Sequence, residues 1–318
     1  MATVSPFASC GKPSHLIVLV ALFVPALVLG ALIALVFARR PELDPASPHA
    51  SSVAAHRIEH ELEHDRGPLG WARHHLDPKT ATGLALLVAV LLVVAGGVIV
   101  GVLAYLVRSV PALQDVDDSI APWGAEHATD FSRDVVRAVT DLGGSTALTV
   151  IILVAVVVEM IRRPSRWLPV LVAMVAIGQP LVTNGIKELL DRVRPTIDPA
   201  AVSLGPSFPS GHSAGAAACF AVLALVLGRG RSRRTHALLA GTAVFLAVAV
   251  GTSRVLLGVH WFSDVIGGLS LGWAWFALCA IAFGGRMLRF GAPVEAAERT
   301  VEIAEHAADA AARPPPLH

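Results

Sequence analysis

The sequence predicts an all-α protein, a polytopic helical bundle that spans a membrane, and three observations carry that expectation. Hydrophobic residues make up 54% of the 318 residues and charged ones only 15%, well below the roughly 25% of a soluble domain. The apolar residues gather into seven long runs. Arginines cluster in the connections at alternate ends of those runs, the pattern that orients helices in a bilayer. A net charge of +1 gives no global field, so nothing points to a nucleic-acid partner. Cys10, Cys219 and Cys279 form no C-x-x-C pair and read as small apolar residues.

The first run, residues 16–37, holds 22 residues without a charge and stops before Arg39 and Arg40. A secretory leader has a shorter apolar core, a more basic start and a small-residue cleavage site. An uncleaved transmembrane anchor over residues 1–40 is therefore expected. Residues 41–80 form a polar segment in which His56, His60 and His64 recur every four residues among Glu59, Glu61, Glu63 and Asp65. On a helix they would make a stripe able to bind a metal, but the surrounding charge favours a solvated face. Run 82–107 carries Gly97 and Gly101 in a G-x-x-x-G spacing that permits close helix contact. In the loop that follows, residues 123–142 read as an amphipathic helix lying at the membrane surface. Phe131, Val135, Val136 and Val139 recur there at helical spacing. Runs 142–161, 167–186, 213–227, 237–252 and 261–283 complete the set. The third and fourth of these five are short for a bilayer, so their ends should extend into the polar flanks. The tail, residues 286–318, reads as a surface helix and a proline-rich end.

Orientation follows from the arginines. Arg162, Arg163 and Arg166, then Arg229, Arg231, Arg233 and Arg234, then Arg286 and Arg289 mark cytoplasmic connections, together with residues 39–80. The N-terminus is then outside and the C-terminus cytoplasmic. Loop 108–144, segment 187–212 and segment 253–260 share the opposite, non-cytoplasmic face. Lys187, Arg192 and Arg194 on that face run against the rule, but cations that serve a site are not topological signals.

Three polar segments meet at this face. His260 and Asp264 are four apart, so on a helix the carboxylate reaches the imidazole. Alone, such a pair is more often a structural hydrogen bond than catalytic machinery. Lys187 and Arg194 are seven apart, two turns of one helix face, until Pro195 ends the helix. Alone, they read as interfacial cations. Ser210, Gly211 and His212 open an apolar run. A helix start of this kind offers backbone N–H groups, a hydroxyl and the positive end of a dipole to an anion. Together with Arg254, the three cations and neutral donors suit a multiply charged oxyanion such as phosphate. Two histidines divide naturally into nucleophile and proton donor. No carboxylate cluster stands at this face to hold magnesium or zinc, so no metal site or cofactor is expected.

These segments resemble a known family. K-x6-R-P (Lys187, Arg194, Pro195), P-S-G-H (Pro209 to His212) and S-R-x5-H-x3-D (Ser253, Arg254, His260, Asp264) are similar to the three signatures of the type 2 phosphatidic acid phosphatases. These are also called lipid phosphate phosphatases, and vanadium haloperoxidases share their superfamily. The resemblance covers residues 82–283 and implies a six-helix phosphatase core, residues 81–285, plus one extra N-terminal transmembrane helix. It implies that His260 attacks phosphorus to form a phosphohistidine while Asp264 orients it. It also implies that His212 protonates the leaving oxygen and then activates water. Lys187, Arg194, Ser210, Gly211 and Arg254 would bind the phosphoryl oxygens. The expected partners are a lipid phosphate and the bilayer, in the plasma membrane of a bacterium. Phosphatidic acid, phosphatidylglycerophosphate and polyprenyl diphosphates all fit, and the oligomeric state is left open. A catalytically silent lipid-binding or scaffold protein on the same fold is the alternative, and the intact His212, His260 and Asp264 argue against it.

Overall fold

A backbone that crosses lipid must satisfy its polar groups internally, and among the described residues every regular element is an α-helix. A computed structural model describes residues 15–39, 81–195, 197 and 205–287. The His-rich segment, Cys10 and the tail beyond residue 287 lie outside the described residues. In chain order the helices are α1 (His15–Arg39), α2 (Ala81–Ser109), α3 (Pro111–His127), α4 (Asp130–Leu142), α5 (Ser145–Arg162), α6 (Trp167–Leu190), α7 (Gly211–Gly228), α8 (Arg233–Leu256) and α9 (Phe262–Met287). All but α3 and α4 are long and apolar enough to cross a membrane. The two short runs lengthen into their polar flanks as expected, to Gly211–Gly228 and Arg233–Leu256.

Helix α7 is the axis of the bundle. Its first half is rich in glycine, alanine and serine, and such residues let neighbouring backbones approach closely in lipid. It packs against α5, α6, α8 and α9, and its buried share is 67%, against 17% for α2 at the periphery. A β-carbon on Gly268 of α9 would stand 3.0 Å from the Ser213 β-carbon, so α9 can seat there only with glycine. Outward-facing side chains such as Leu27, Val98, Val154, Ile161 and Leu181 stay exposed, as a lipid-facing belt should.

The N-terminal helix α1 lies along α8. Gly30 and Gly241 face each other so closely that a β-carbon on Gly241 would stand 2.6 Å from the Gly30 carbonyl oxygen. The Phe23 and Phe245 rings stack nearby, with centroids 6.3 Å apart. Helix α2 packs on α9 through Gly96, where an added β-carbon would stand 2.8 Å from the Ser270 carbonyl oxygen. A β-carbon added at Gly97 or Gly101 would meet nothing within 4 Å among the described residues. Among the described residues the close approach of α2 to α9 is therefore made at the preceding glycine, not at the G-x-x-x-G pair.

Three sequence expectations need correction. The loop before residue 144 holds two helices, not one, broken at Ala128 and Thr129 because Thr129 caps α4 in a reciprocal capping box with Ser132. The apolar stripe of α4 is turned toward the bundle: Val136 is buried against Val18, Leu22 and Leu256, while Phe131 faces outward. Helix α6 stops at Leu190, well short of Pro195, because Asp191 takes a left-handed conformation (φ 44°, ψ 43°).

The two ends of the bundle differ sharply in chemistry. At one, Arg163 and Arg229 join the α5–α6 and α7–α8 connections, and Arg233 Nη2 donates to the Ala38 carbonyl at the end of α1 (2.7 Å). At the other lie α3, α4, the segment after α6, the start of α7 and the α8–α9 turn.

Overpacking the α1–α8 crossing by Gly241→Val should cost about 1–3 kcal/mol. Thermal unfolding in detergent checks this, with a lowered midpoint expected.

Candidate active site

His260 is placed by the way α8 ends. Val259 N–H bonds the Arg254 carbonyl (3.2 Å) and Gly258 N–H bonds the Val255 carbonyl (2.8 Å), a Schellman arrangement. Gly258 supplies the positive φ (64°) that it requires. The chain leaves this turn at His260 and enters α9 two residues later. His260 and Asp264 therefore do not share a helix face, contrary to the spacing argument: His260 stands in the turn and Asp264 in the first turn of α9. They meet nonetheless, with His260 Nδ1 3.3 Å from Asp264 Oδ2. The same Oδ2 accepts the Trp261 backbone N–H at 3.0 Å, which caps the helix as an acidic residue in the first turn can.

Arg194 fixes the imidazole from the other side. Its Nη1 lies 3.0 Å from His260 Nε2. Arginine only donates, so Nε2 accepts and the ring proton sits on Nδ1, facing Asp264. Other Arg194 N–H groups bind the carbonyls of Gly205, Pro206 and Val259. The ring is buried, 2% exposed. Burial pushes it down to about 4, against the hydrogen bond and charge of Asp264, while Arg194 and Arg254 add to the lowering. Burial also lowers Arg194 from its ordinary value, with Asp264 opposing.

Neighbouring helix ends bring further donors with capacity to spare. Ser210 caps α7, and its Oγ accepts from the Ser213 hydroxyl at 2.9 Å, which leaves its own hydrogen free to donate. A β-carbon on Gly211 would stand 4.0 Å from Lys187 Nζ, and one on Gly144 the same distance from His212 Nε2. Lys187 therefore reaches the start of α7, and His212 faces the α4–α5 turn. Arg254 Nη1 donates to Thr140 Oγ1 (3.0 Å), while its Nε is buried without a partner among the described residues. A buried donor of that kind is costly unless an acceptor arrives. The structure thus brings together all eight residues singled out in the sequence: Lys187, Arg194, Ser210, Gly211, His212, Arg254, His260 and Asp264.

Sequence reasoning missed what lies behind Asp264. Arg192 entered that reasoning only as a charge on the wrong face, yet the left-handed Asp191 turns it inward. Its Nη1 donates to Asp264 Oδ1 (2.6 Å) and to Ser263 Oγ (2.8 Å). Its Nη2 donates to Asp117 Oδ2 (2.8 Å) and to Gln114 Oε1 (2.9 Å). Asp117 is fully buried and also accepts the Ser263 backbone N–H at 3.0 Å and its hydroxyl. Removing one partner of such a buried ion pair costs about 3–5 kcal/mol. Two carboxylates do stand at this face, then, but a guanidinium fills the space between them. A legible signal existed: Asp117, Ala121 and Gly124 recur at i, i+4 and i+7, the buried stripe of α3.

Against this geometry, the PAP2 superfamily model matches residues 166–287. Phosphatidylglycerophosphatase B of Bacillus subtilis (strain 168) is 33% identical over 184 residues, 56% of this chain and 88% of that protein. The chain belongs to the PAP2 superfamily. A lipid A 1-phosphatase of Rhizobium johnstonii is 35% identical over 130 residues, but these span only 48% of that protein. The crystal structure of a transmembrane PAP2 type phosphatidylglycerolphosphate phosphatase from Bacillus subtilis superposes with a TM-score of 0.57 and 30% identity. It covers 62% of this chain and 98% of that one. This PAP2 chain is thus an integral-membrane protein of a lipid phosphatase family. Asp117 and Gln114 lie outside the segment matched by the family model.

Proposed function

We propose that this PAP2 protein hydrolyses a phosphomonoester or diphosphate on a membrane lipid, of the phosphatidic acid, phosphatidylglycerophosphate or polyprenyl diphosphate type, through a phosphohistidine on His260. The observation that carries this reading is the state of His260: proton on Nδ1 toward Asp264 and lone pair on Nε2 toward the Arg194 guanidinium.

Phosphate draws Arg194 off Nε2 and onto a phosphoryl oxygen, so the substrate itself uncovers the nucleophile. Nε2 attacks phosphorus, the bond to the leaving oxygen breaks, and His212 supplies the proton that oxygen needs. His212, now neutral, takes a proton from water. The water oxygen attacks phosphorus and the phosphorus–nitrogen bond breaks, returning neutral His260 and inorganic phosphate. Lys187, Arg194, Arg254, the Ser210 hydroxyl and the Gly211 amide hold the charge that develops on the phosphoryl oxygens. Neutralisation by these side chains needs no divalent ion, so turnover should persist in EDTA. The apolar belt suits a substrate whose chains stay in lipid while its headgroup enters the polar end.

The relatives support the substrate class: one is named a phosphatidylglycerophosphatase and two are named lipid A 1-phosphatases. The arginine-rich end opposite the site supports a non-cytoplasmic site and a cytoplasmic C-terminus.

His260→Ala should lower phosphate release from dioctanoyl phosphatidic acid in detergent at least roughly a thousandfold, with EDTA present. The nucleophile must be neutral, so activity is kept above the imidazole's own pKa and lost as pH falls through it. With that group depressed to about 4, the acid limb of kcat/KM should lie far below the roughly 6.5 of a free imidazole. Retained turnover in the variant, or a limb at 6.5 or above, sinks the mechanism.

A cysteine placed at Arg231 should react with an impermeant thiol reagent only after the membrane is opened. Labelling of intact cells at that site would reverse the orientation.

A further inference from the structure

We propose that Asp117 and Arg192 are positioning residues of the phosphatase site: one guanidinium, held by the carboxylate of α3, fixes Asp264 and sets the net charge behind His260. The inference rests on the reading of His260 as nucleophile.

Asp264 has two oxygens and two jobs. Oδ2 faces His260 Nδ1 and the Trp261 amide, and Oδ1 is held by Arg192 Nη1 at 2.6 Å. A carboxylate gripped at both oxygens cannot rotate, so the imidazole it orients is fixed too. Arg192 cannot itself be a phosphate ligand in this arrangement, because both of its terminal nitrogens are spent on Asp264, Ser263, Asp117 and Gln114. Its side chain is 6% exposed and those of Asp117 and Asp264 are fully buried, so their charges act on one another with little solvent screening. The Trp261 ring covers the guanidinium, 5.5 Å from centroid to Cζ, and its Nε1 donates to the Val193 carbonyl at 2.9 Å. The segment after α6 is thereby clamped to the start of α9.

Two carboxylates around one guanidinium leave a single net negative charge beside the Nδ1 side of His260. The other charged and titratable groups that face the imidazole are Arg194 from the segment after α6, Arg254 from α8 and His212 from α7. Lys187 of α6 acts on Asp264, and Asp141 of α4 acts on Arg254. None of these changes when position 117 or 192 is substituted. Arg192→Gln leaves two negative charges and favours imidazolium; Asp117→Asn leaves none and disfavours it. The double variant restores one.

A purely structural tie between α3 and the bundle would weaken both single variants alike. A positioning role makes their pH profiles diverge. The test is kcat and KM of the full-length protein in detergent against p-nitrophenyl phosphate, whose leaving group needs no protonation by His212. Arg192→Gln should lower kcat about 10- to 100-fold with KM changed less than about threefold. Its acid limb should move up by about one pH unit, that of Asp117→Asn should move down, and that of the double variant should return to the wild-type position. Arg192→Lys, which keeps the charge but loses the fork, should lower kcat without moving the limb. Limbs that stay put, or that shift the same way in both single variants, overturn the proposal. If a single variant fails to fold, as read by gel filtration, the double and Arg192→Lys variants decide. A wild-type limb with reduced kcat supports the proposal and a displaced limb overturns it. His260→Ala is run alongside: if it retains turnover, the nucleophile assignment itself fails, whereas a dead His260→Ala with unmoved limbs defeats only this inference.

Discussion

Arg192 is held on two sides by buried carboxylates, and the geometry of the polar end depends on that contact. Through one guanidinium, α3 is joined to the segment after α6 and to the first turn of α9. A buried charge of this kind tolerates little displacement, because each partner left alone would be an uncompensated ion. The same contact decides which arginine does what. Arg192 is consumed by the protein, and Arg194, two residues on, faces the imidazole from the opposite side. The left-handed turn at Asp191 ends α6 and frees the short segment that carries both arginines to reach α3 and α9 with one and the α8–α9 turn with the other.

Around this fixed point the site places its charges asymmetrically. On the Nδ1 side of His260 lie carboxylates and the guanidinium that matches them; Arg194 lies on the Nε2 side, and the charge of Arg254, whose buried Nε has no partner among the described residues, acts on the same ring. Electrostatic stabilisation of a transferring phosphoryl group works when the donors are already in place before charge develops. Here they are held by helix ends: the α6 terminus for Lys187, the cap of α7 for Ser210 and Gly211, and the Schellman turn of α8 for Arg254 and His260. The burial of α7 among four neighbours gives those helix ends a rigid base.

Much of this was legible in the sequence, and the parts that were not share a cause. The seven apolar runs, their extension into polar flanks and the gathering of the eight candidate residues at one end follow from composition, spacing and motif, because each depends on local chemistry. The G-x-x-x-G pair at Gly97 and Gly101 misled, since spacing cannot say which face of a helix meets a neighbour; Gly96 makes the contact. The His260–Asp264 pairing was read correctly for the wrong reason, as a helix face where a turn and a cap bring the groups together. Arg192 and Asp117 were invisible as a pair because their contact joins positions 75 residues apart, and a charge bound for a buried partner looks in sequence like any interfacial charge.

The central claim is that His260 takes the phosphoryl group covalently, and trapping that intermediate tests it most directly. In His212→Ala the residue assigned to activate water is gone, so a substrate with a good leaving group should load the enzyme faster than water unloads it. The variant is incubated with p-nitrophenyl phosphate, quenched in base and digested, and the phosphorylated peptides are mapped by mass spectrometry. An acid-labile, alkali-stable phosphoryl group on His260 is the result the account predicts. A phosphoryl group on any other residue, or turnover with no phosphoenzyme at any time point, would contradict it.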